Sequence, residues 1–462
     1  MSLLATTGAP APGIAVPRAV GLALGLVATV ALVAAVEALA TATSVVVALA
    51  GIAGLVLCAA VLARPMIGLY ALTLAVPLEG IIVPGGGTLL SPAKALIVLT
   101  GLAAGGRLLL TRTGQRWHLA HLGFGVLLAD LALGMLVAED AFTVAKILVI
   151  WTAVFLISLH VALLGPREVR RVLACLVVSG GVVGGVALVT QRAQQLTDGG
   201  AVVSGRAQAV FAHPGVLAFF LVLQLPVALV LAVGGPRRLR PLMVVCAVIA
   251  AVALLLTLTR SAIIGAACGL LLLGLLSSSR RVLLVVALGT VAALTTASSL
   301  SGELGIVAVR LATVSDGLDT GGQRAEIWAV TPRIIADHPL LGVGAGNFGV
   351  VSSRYGLHDV DTSTTTLLPF DHAHNIPLTI GAEQGIPGLA ALAVFGLGCL
   401  SLMVRAVRGR GIADRQLALG LTAALLGLAV VGATDFPVRT DVIVAAAMID
   451  VGALIALVRH GA

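Results

Sequence analysis

The residues best suited to chemistry form the short polar stretch HAHN at positions 372–375, directly before a long apolar segment. Histidine changes protonation near neutral pH and can take a proton from a hydroxyl group. Ionisable groups at a membrane boundary are costly and usually serve a function. We predict that His374 is a general base and that His372 and Asn375 support it. The alternative role for His374 is to cap the helix that begins near Asn375.

Three arginines stand at or just outside the ends of apolar segments: Arg206, Arg260 and Arg324. Guanidinium groups bind phosphate oxygens in a bidentate manner and stay charged at any relevant pH. They could therefore neutralise a pyrophosphate without Mg²⁺. We expect no metal and no cofactor. The structural alternatives are that Arg260 reaches lipid headgroups and that Arg324 bonds a loop to the helix bundle.

The composition predicts an all-α integral membrane protein. The chain has 462 residues, of which 59% are hydrophobic and 10% are charged. A membrane-spanning helix needs ~20 apolar residues, and about 12–14 segments meet that need. The candidate spans lie near 18–40, 43–63, 66–84, 92–111, 119–138, 144–164, 169–189, 214–234, 240–258, 261–277, 281–300, 376–404, 414–433 and 440–459.

The positive charge lies in short connections between alternate spans, such as 107–116, 167–171 and 405–415. This pattern predicts a multi-pass membrane protein in which these connections and both termini face the cytoplasm. Anionic lipid headgroups would then balance the net charge of +8, so we expect no nucleic-acid partner. The Pro- and Gly-containing residues 1–17 are expected to form a disordered cytoplasmic tail.

The chain divides at its one long polar loop. We expect an N-terminal transmembrane bundle over 18–300, an extracytoplasmic loop over 301–373 and C-terminal transmembrane helices over 374–460. Within the loop, apolar residues recur at helical spacing in GGQRAEIWAVTPRIIADHP, which predicts an amphipathic helix on the membrane or against the bundle. The glycines of GVGAGNFG after it indicate a turn rather than a phosphate-binding nest, because no strand precedes them.

Several motifs resemble those of the O-antigen ligase and O-antigen polymerase superfamily of bacterial inner-membrane proteins. The matching residues are G-x-R-x-x-x-W at 322–328, H-P-L-L-G-V-G-x-G-N-F at 338–348, H-x-H-N at 372–375, E-x-G-I-P-G-L at 383–389 and Thr259-Arg260-Ser261. The loop from Arg206 to Pro214 is similar to an R-x-x-G-x-F-x-x-P-N motif, with Ala209 at its glycine position and Gly215 at its asparagine position. Residues 301–405, with Arg206 and Arg260, would form the ligase-like core.

The resemblance implies a C-type glycosyltransferase fold and transfer of a glycan from an undecaprenyl-pyrophosphate carrier to an acceptor hydroxyl, outside the membrane and with inversion. It implies that His374 is the base and that Arg206 and Arg260 hold the pyrophosphate. Arg324 matches a family arginine that we include among the candidate pyrophosphate ligands.

Two alternatives stay open. The motifs do not separate a ligase from a polymerase of lipid-linked repeat units, and the acceptor could be a glycolipid, a polymer end or a protein. A polytopic transporter or flippase of the same lipid-linked glycans is the other class. Its support comes from carboxylates in or near the spans, which can mark an ion path: Glu37, Glu79, Asp130, Asp435, Asp441 and Asp450.

Overall fold

A computed structural model describes residues 45–76, 79, 91–111, 117–197, 206–211, 213–277, 322–360, 367–409, 412 and 414–459. The expected tail 1–17 and the candidate spans 18–40 and 281–300 lie outside these ranges.

The described residues form fourteen α-helices, two 3₁₀ turns and one small antiparallel pair of strands. The helices are α1 Val45–Ala63, α2 Pro65–Ala75, α3 Pro92–Thr111, α4 Leu119–Gly134, α5 Ala141–Val161, α6 Pro166–Thr197, α7 Pro214–Gly234, α8 Arg240–Leu256, α9 Arg260–Leu276, α10 Gly322–Asp337, α11 Phe348–Ser352, α12 Ile376–Arg408, α13 Arg415–Gly432 and α14 Asp441–Arg459. Strand β1 (His358–Val360) pairs antiparallel with β2 (Leu367–Pro369).

Seven of these helices are long and apolar enough to cross a membrane: α3, α5, α6, α7, α12, α13 and α14. Five shorter apolar helices accompany them. The chain is therefore an all-α multi-pass membrane protein, as its composition predicts. The prediction of a span over 66–84 was wrong, because α2 ends at Ala75. The short hairpin was not predicted.

Close helix packing rests on small residues. A Cβ added at Gly398 of α12 would lie 2.2 Å from the backbone nitrogen of Ala120 in α4. Gly265 and Gly269, one turn apart on α9, would similarly meet backbone carbonyls of α13 at 2.5 and 2.4 Å. Small residues let helix backbones approach closely where lipid offers no hydrophobic driving force for association. Helices α7 and α14 are buried along nearly their whole length and form the centre of the bundle.

Charged side chains cluster at the two ends of the helix bundle. We call the arginine-rich end the basic end, and there the Arg170 Nη2 atom lies 2.5 Å from Asp414 Oδ2 at the start of α13. At the other end, Lys94 at the start of α3 lies 3.4 Å from Asp441 at the start of α14. The described arginines at the basic end are Arg107, Arg167, Arg170, Arg171, Arg237, Arg238, Arg240, Arg405, Arg408, Arg415 and Arg459.

The end opposite the basic end carries a cap, which consists of residues 322–360 and 367–373. The cap has its own apolar core, built from Ile327, Ile334, Val343, Phe348, Val351, Leu357, Phe370, Ala373 and Ala382. The expected amphipathic helix is α10, and it packs against α12 rather than standing apart. The acidic connection before α5 holds the cap, because Asn347 Oδ1 accepts from Asp140 N at 2.8 Å and Arg354 pairs with Glu139.

Two of the sequence motifs form a single structural joint at a break in α12. The break is at Gly385, with φ of 67° and ψ of −161°. Pro387 has no N–H, so the carbonyl of Glu383 loses its helical donor. The turn of the cap satisfies the freed groups: Gly344 N donates to Glu383 O, Val343 N to Ala382 O, and Ile386 N to Pro339 O, at 2.8–2.9 Å.

The joint between the cap and α12 explains why the GVGAGNFG segment is rich in glycine. Gly342, Gly344 and Gly346 all have positive φ, which turns the cap backbone onto the broken helix. The buried Glu383 side chain accepts from Phe348 N at 3.3 Å. Backbone polar groups need partners where water is scarce. The E-x-G-I-P-G-L motif and the glycine turn therefore hold the cap on the bundle.

Candidate active site

His374 stands between the cap and α12 in a strained conformation. Its φ is 49°, a region that costs energy for any residue with a Cβ. Hydrogen bonds fix both neighbours: Trp328 Nε1 donates to Ala373 O at 2.8 Å, and Asn375 Nδ2 donates to Ala433 O at 2.8 Å. Asn375 Oδ1 also caps α12 by accepting from Leu378 N. Strain that the surroundings enforce in this way is typical of functional sites.

Asp435 is the carboxylate that faces His374. Its Oδ1 atom lies 3.5 Å from His374 Nδ1, within ion-pair range but longer than a well-formed hydrogen bond. The other oxygen, Oδ2, lies 3.6 Å from Arg324 Nη2. Burial alone would raise the pKa of Asp435, but contacts with His374, the Phe436 backbone and Arg324 hold that pKa below its ordinary value. Asp435 is therefore ionised at neutral pH.

His372 belongs to a second pair beside the first. Its Nδ1 atom donates to Asp371, whose other oxygen pairs with Arg439. Burial lowers the pKa of His372 despite this carboxylate, so the ring is neutral at neutral pH. The rings of His372 and His374 are 4.2 Å apart between centroids. His372 thus packs against His374.

Arg206 binds the turn between α8 and α9. Its Nε donates to Thr257 O at 2.7 Å and its Nη2 to Thr259 Oγ1 at 3.0 Å. Ala209 and Leu258 flank these contacts with φ of 54° and 53°. Together with His374, they are the non-glycine residues with positive φ in the described ranges. The position where the family motif has glycine is thus one whose backbone conformation favours glycine.

The guanidinium group of Arg260 is available to a ligand, whereas those of Arg206 and Arg324 bond to other parts of the protein. It begins α9 and is partly exposed, and it has no hydrogen-bond or ion-pair partner among the described residues. The first N–H groups of a helix lack partners within the helix and attract anions. Arg260 and this helix start therefore offer a place for a phosphate group.

Arg324 supports the site from the cap. Its Nη1 atom donates to Thr434 O at 2.9 Å while Nη2 approaches Asp435. Four residues later on α10, Trp328 holds Ala373. Both polar side chains of the G-x-R-x-x-x-W motif thus fix backbone beside His374 or Asp435. This geometry favours the structural role that the sequence left open for Arg324.

His213 stands at the start of α7, at the same end of the bundle. Its Nδ1 atom caps α7 by accepting from Gly215 N at 3.0 Å. Burial lowers the pKa of His213 most strongly, and Arg206, His374 and Arg439 lower it further while Asp435 raises it. The charges of Arg206 and Asp435 both reach His213, which therefore lies in the same polar region as these two residues.

Three side chains of the site could ligate a metal. The ligand atoms of His372, His374 and Asp435 all lie within 4.8 Å of one another. Two imidazoles and a carboxylate suit Zn²⁺, and Asp371 would orient His372 from behind. However, Asp435 is already paired with Arg324, and Asp371 with Arg439. The nearby guanidinium groups oppose a cation.

We expect the Asp435 contacts to appear in the pH dependence of stability. A pKa below its unfolded value of about 3.9 contributes stability above that value, which is lost as pH falls through the folded pKa. The thermal unfolding midpoint in detergent should stay level from neutral pH and fall only under more acidic conditions. Asp435→Asn should lower the midpoint at neutral pH and reduce the acid-induced fall.

Asp337→Asn serves as the control for that experiment, because Asp337 is an exposed cap carboxylate whose side chain accepts from Tyr355. If Asp435→Asn and the native protein lost stability with pH in parallel, Asp435 would not be held in the ionised form by these contacts.

Sequence reasoning missed Asp435, Asp371, Arg439 and His213 as parts of this site. Asp435 was noted only as a carboxylate near the end of a span. The usable signal was the polar stretch between α13 and α14, which lies on the same predicted side as His374. His374, His372, Asn375 and Arg324 are brought together, whereas Arg206 and Arg260 lie at the α8–α9 turn.

The fold and site define a multi-pass membrane protein with a polar centre beneath a cap at one end. Residues 245–393 match the family model described as O-antigen ligase. This match covers about a third of the chain, confirms the resemblance to the O-antigen ligase superfamily, and supports a membrane glycosyltransferase of the ligase or polymerase type. The matched range contains Arg260, Arg324 and His374 but neither Arg206 nor Asp435. A search of curated protein sequences found no match.

Proposed function

We propose that this protein transfers a glycan from an undecaprenyl-pyrophosphate carrier to an acceptor hydroxyl at the cap end, which faces away from the cytoplasm. The observation that carries the proposal is the pairing of His374 with Asp435, at the end of the bundle where Arg260 also begins α9. The distribution of arginines supports the orientation, because they gather at the end remote from this site. The expected bacterial inner-membrane location and C-type glycosyltransferase fold belong to the same proposal.

In this mechanism His374 takes the acceptor proton. The Asp435 carboxylate, 3.5 Å from Nδ1, favours the tautomer with the proton on Nδ1, which leaves the Nε2 lone pair for the hydroxyl. As Nε2 removes the proton, the hydroxyl oxygen bonds to the anomeric carbon, and the bond from that carbon to the pyrophosphate oxygen breaks. Attack from the face opposite the leaving group inverts the anomeric configuration. His372 and Asn375 fix the position of His374.

The leaving pyrophosphate needs positive charge and hydrogen-bond donors where its own charge develops. Arg260 and the first N–H groups of α9 supply both. Arg206 holds the turn that carries Arg260 and adds a second guanidinium charge. Arg324 acts mainly by holding Asp435 and Thr434. The arginines thus take the role that Mg²⁺ plays in many phosphate-transfer sites.

We expect Arg260→Gln to weaken donor binding most clearly. Loss of a hydrogen bond to a charged group costs about 1.5–3 kcal/mol, which corresponds to roughly 10- to 150-fold in the dissociation constant at about 1.4 kcal/mol per tenfold. Arg260→Lys should bind donor with intermediate affinity, because it keeps the charge without the fork. The measurement is the dissociation constant of a purified lipid-pyrophosphate-linked glycan.

Arg333→Gln is the control, because Arg333 is an exposed arginine on the cap helix α10. Equal donor affinity in Arg260→Gln and the native protein would remove Arg260 from the pyrophosphate site.

We also expect transfer to continue in the presence of EDTA. The guanidinium groups supply the positive charge, so removal of divalent ions should leave the transfer rate of the purified protein unchanged. Loss of activity in EDTA, with recovery on adding Zn²⁺ or Mn²⁺, would instead assign the His372–His374–Asp435 cluster to a metal.

The length of glycan on the carrier tests the proposed function in cells. Cells with the native protein are compared with cells in which His374→Ala replaces it. Accumulation of long polymer on the carrier indicates a lost ligase, and accumulation of single repeat units indicates a lost polymerase. An unchanged outward-facing carrier pool would reject the transferase and favour the carrier or flippase.

One structural feature bears on the carrier alternative. Asp130 in α4 and Asp450 in α14 are buried, at 6% and 1% exposure, and have carboxylate oxygens without hydrogen-bond partners among the described residues. Asp435 and Asp441, by contrast, are paired with basic groups of the cap end.

A further inference from the structure

A second polar pocket lies at the basic end, remote from the candidate active site. It has a volume of about 200 Å³ and lies between α6, α7 and α8. Arg167, Arg170 and Arg171 line it on one side, and the apolar side chains of Ala174, Leu231 and Met243 contribute to its wall. A pocket that combines guanidinium groups with apolar walls suits an amphiphilic anion rather than a fully hydrated one.

The charge of this pocket is only partly balanced. Arg170 pairs with Asp414 at 2.5 Å. Arg167 and Arg171 are exposed and have no hydrogen-bond or ion-pair partner within the described ranges. The nearest carboxylate in sequence, Glu168, accepts from Gly165 N at 3.0 Å and so caps the start of α6. Two positive charges therefore remain available to a ligand.

An apolar groove leads away from the pocket along α6 and α8, two of the three helices that form it. It has a volume of about 510 Å³, and its lining includes Val178, Gly181, Val182 and Gly185 of α6 with Val245 and Ile249 of α8. Ala174 of the pocket precedes Val178 of the groove by about one helical turn. The groove therefore starts where the pocket ends.

Two glycines of α6 shape the groove, Gly181 by a close contact and Gly185 by leaving space. A Cβ added at Gly181 would lie 2.6 Å from Cys246 Sγ, so α6 and α8 are in close contact there. At Gly185, an added Cβ would meet no atom within 4 Å, so this position opens into free space. The groove runs to Thr190, a length of roughly 18 Å from Val178 at 1.5 Å per residue.

We propose that an anionic phospholipid binds here, with its phosphate in the arginine pocket and one acyl chain in the groove. One leaflet of the hydrocarbon core is about 15 Å thick, half of ~30 Å, so the groove matches the length of an acyl chain. Basic pockets between helices on the cytoplasmic side bind such headgroups. The pyrophosphate of the glycan donor is not the occupant, because Arg206 and Arg260 lie at the opposite end of the bundle.

The test is lipid-specific thermal stabilisation of the purified full-length protein in a neutral detergent. Dioleoylphosphatidylglycerol should raise the unfolding midpoint more than dioleoylphosphatidylcholine, because a ligand that binds only the folded state stabilises it. The double variant Arg167→Gln/Arg171→Gln should lose this difference. Arg170 is left intact because its bond to Asp414 joins α6 to α13.

The double variant Arg237→Gln/Arg238→Gln is the matched control. It removes the same charge from two exposed arginines in the neighbouring turn that do not line the pocket, and it should keep the phosphatidylglycerol effect. Gly185→Leu should reduce that effect by filling the groove without a clash. Since Leu also favours helix over Gly, an intact midpoint without lipid would show that folding is preserved.

Three results would overturn the proposal. The first is equal stabilisation of the native protein by the two lipids. The second is equal loss of the effect in both double variants, which would indicate general surface charge. The third is full stabilisation by inorganic phosphate alone, which would indicate a simple anion site without an acyl chain.

Discussion

Replacement of His374 by Ala is expected to lower the transfer rate of the purified protein by about 10²- to 10⁴-fold, the usual contribution of a general base. Donor binding should stay unchanged, since the pyrophosphate is proposed to bind Arg260 and the start of α9. The measurement pairs single-turnover transfer from a labelled lipid-pyrophosphate glycan with a separate donor-binding titration. Combined loss of transfer and donor binding would mean that His374 maintains the shape of the site.

Two variants sharpen that result. His338→Ala, at an exposed histidine in the same cap, should transfer at the native rate. Asp435→Asn should lower kcat and leave KM for the donor unchanged, because the amide no longer favours the Nδ1–H tautomer of His374. A rise in KM with native kcat would instead give Asp435 a role in donor binding.

Replacement of Gly342 by Ala is expected to cause the largest loss of stability among the cap glycines. Gly342 has φ of 62°, and an added Cβ would lie 2.3 Å from the backbone carbon of Glu383. The left-handed conformation costs about 1–2 kcal/mol for a residue with a Cβ, and overpacking adds about 1–3 kcal/mol. The free energy of unfolding in mixed micelles should fall by the sum, and transfer activity should fall with it.

Gly356→Ala separates these two contributions. Gly356 has φ of 79°, but an added Cβ would meet no atom within 4 Å. This variant should therefore show only the conformational cost. Equal losses of stability in both variants would mean that a Cβ at Gly342 does not clash with the broken helix α12.

Much of the fold follows from local sequence. Most span predictions correspond to helices because burial in lipid depends on runs of apolar residues, which composition reveals. Helix starts are also local, as at Asp140, His213 and Asn375, whose side chains cap the helices that follow them. The span over 66–84 was wrong because apolar composition alone does not mark the end of α2 at Ala75.

Only part of the candidate site could be predicted from the sequence. His374 and its arginines stood out because charged and ionisable residues are rare in so apolar a chain, and family motifs surround several of them. Asp435 gave no comparable signal, since its partner lies across the gap between α12 and the connection after α13. The roles of Trp328 and Glu383 were also hidden, because both act by bonding to backbone that is distant in sequence.

The sequence by itself determined an all-α membrane protein, the gathering of arginines away from the HAHN stretch, and the resemblance to the O-antigen ligase superfamily over residues 245–393. These properties depend on composition, spacing and local motifs. Only the tertiary structure decided that Asp435 faces His374, that Arg324 holds Asp435, and that the glycine turn satisfies the broken α12. Those contacts join segments that are distant in sequence. The packing of the helices, the cap and the connections decides which of their side chains meet.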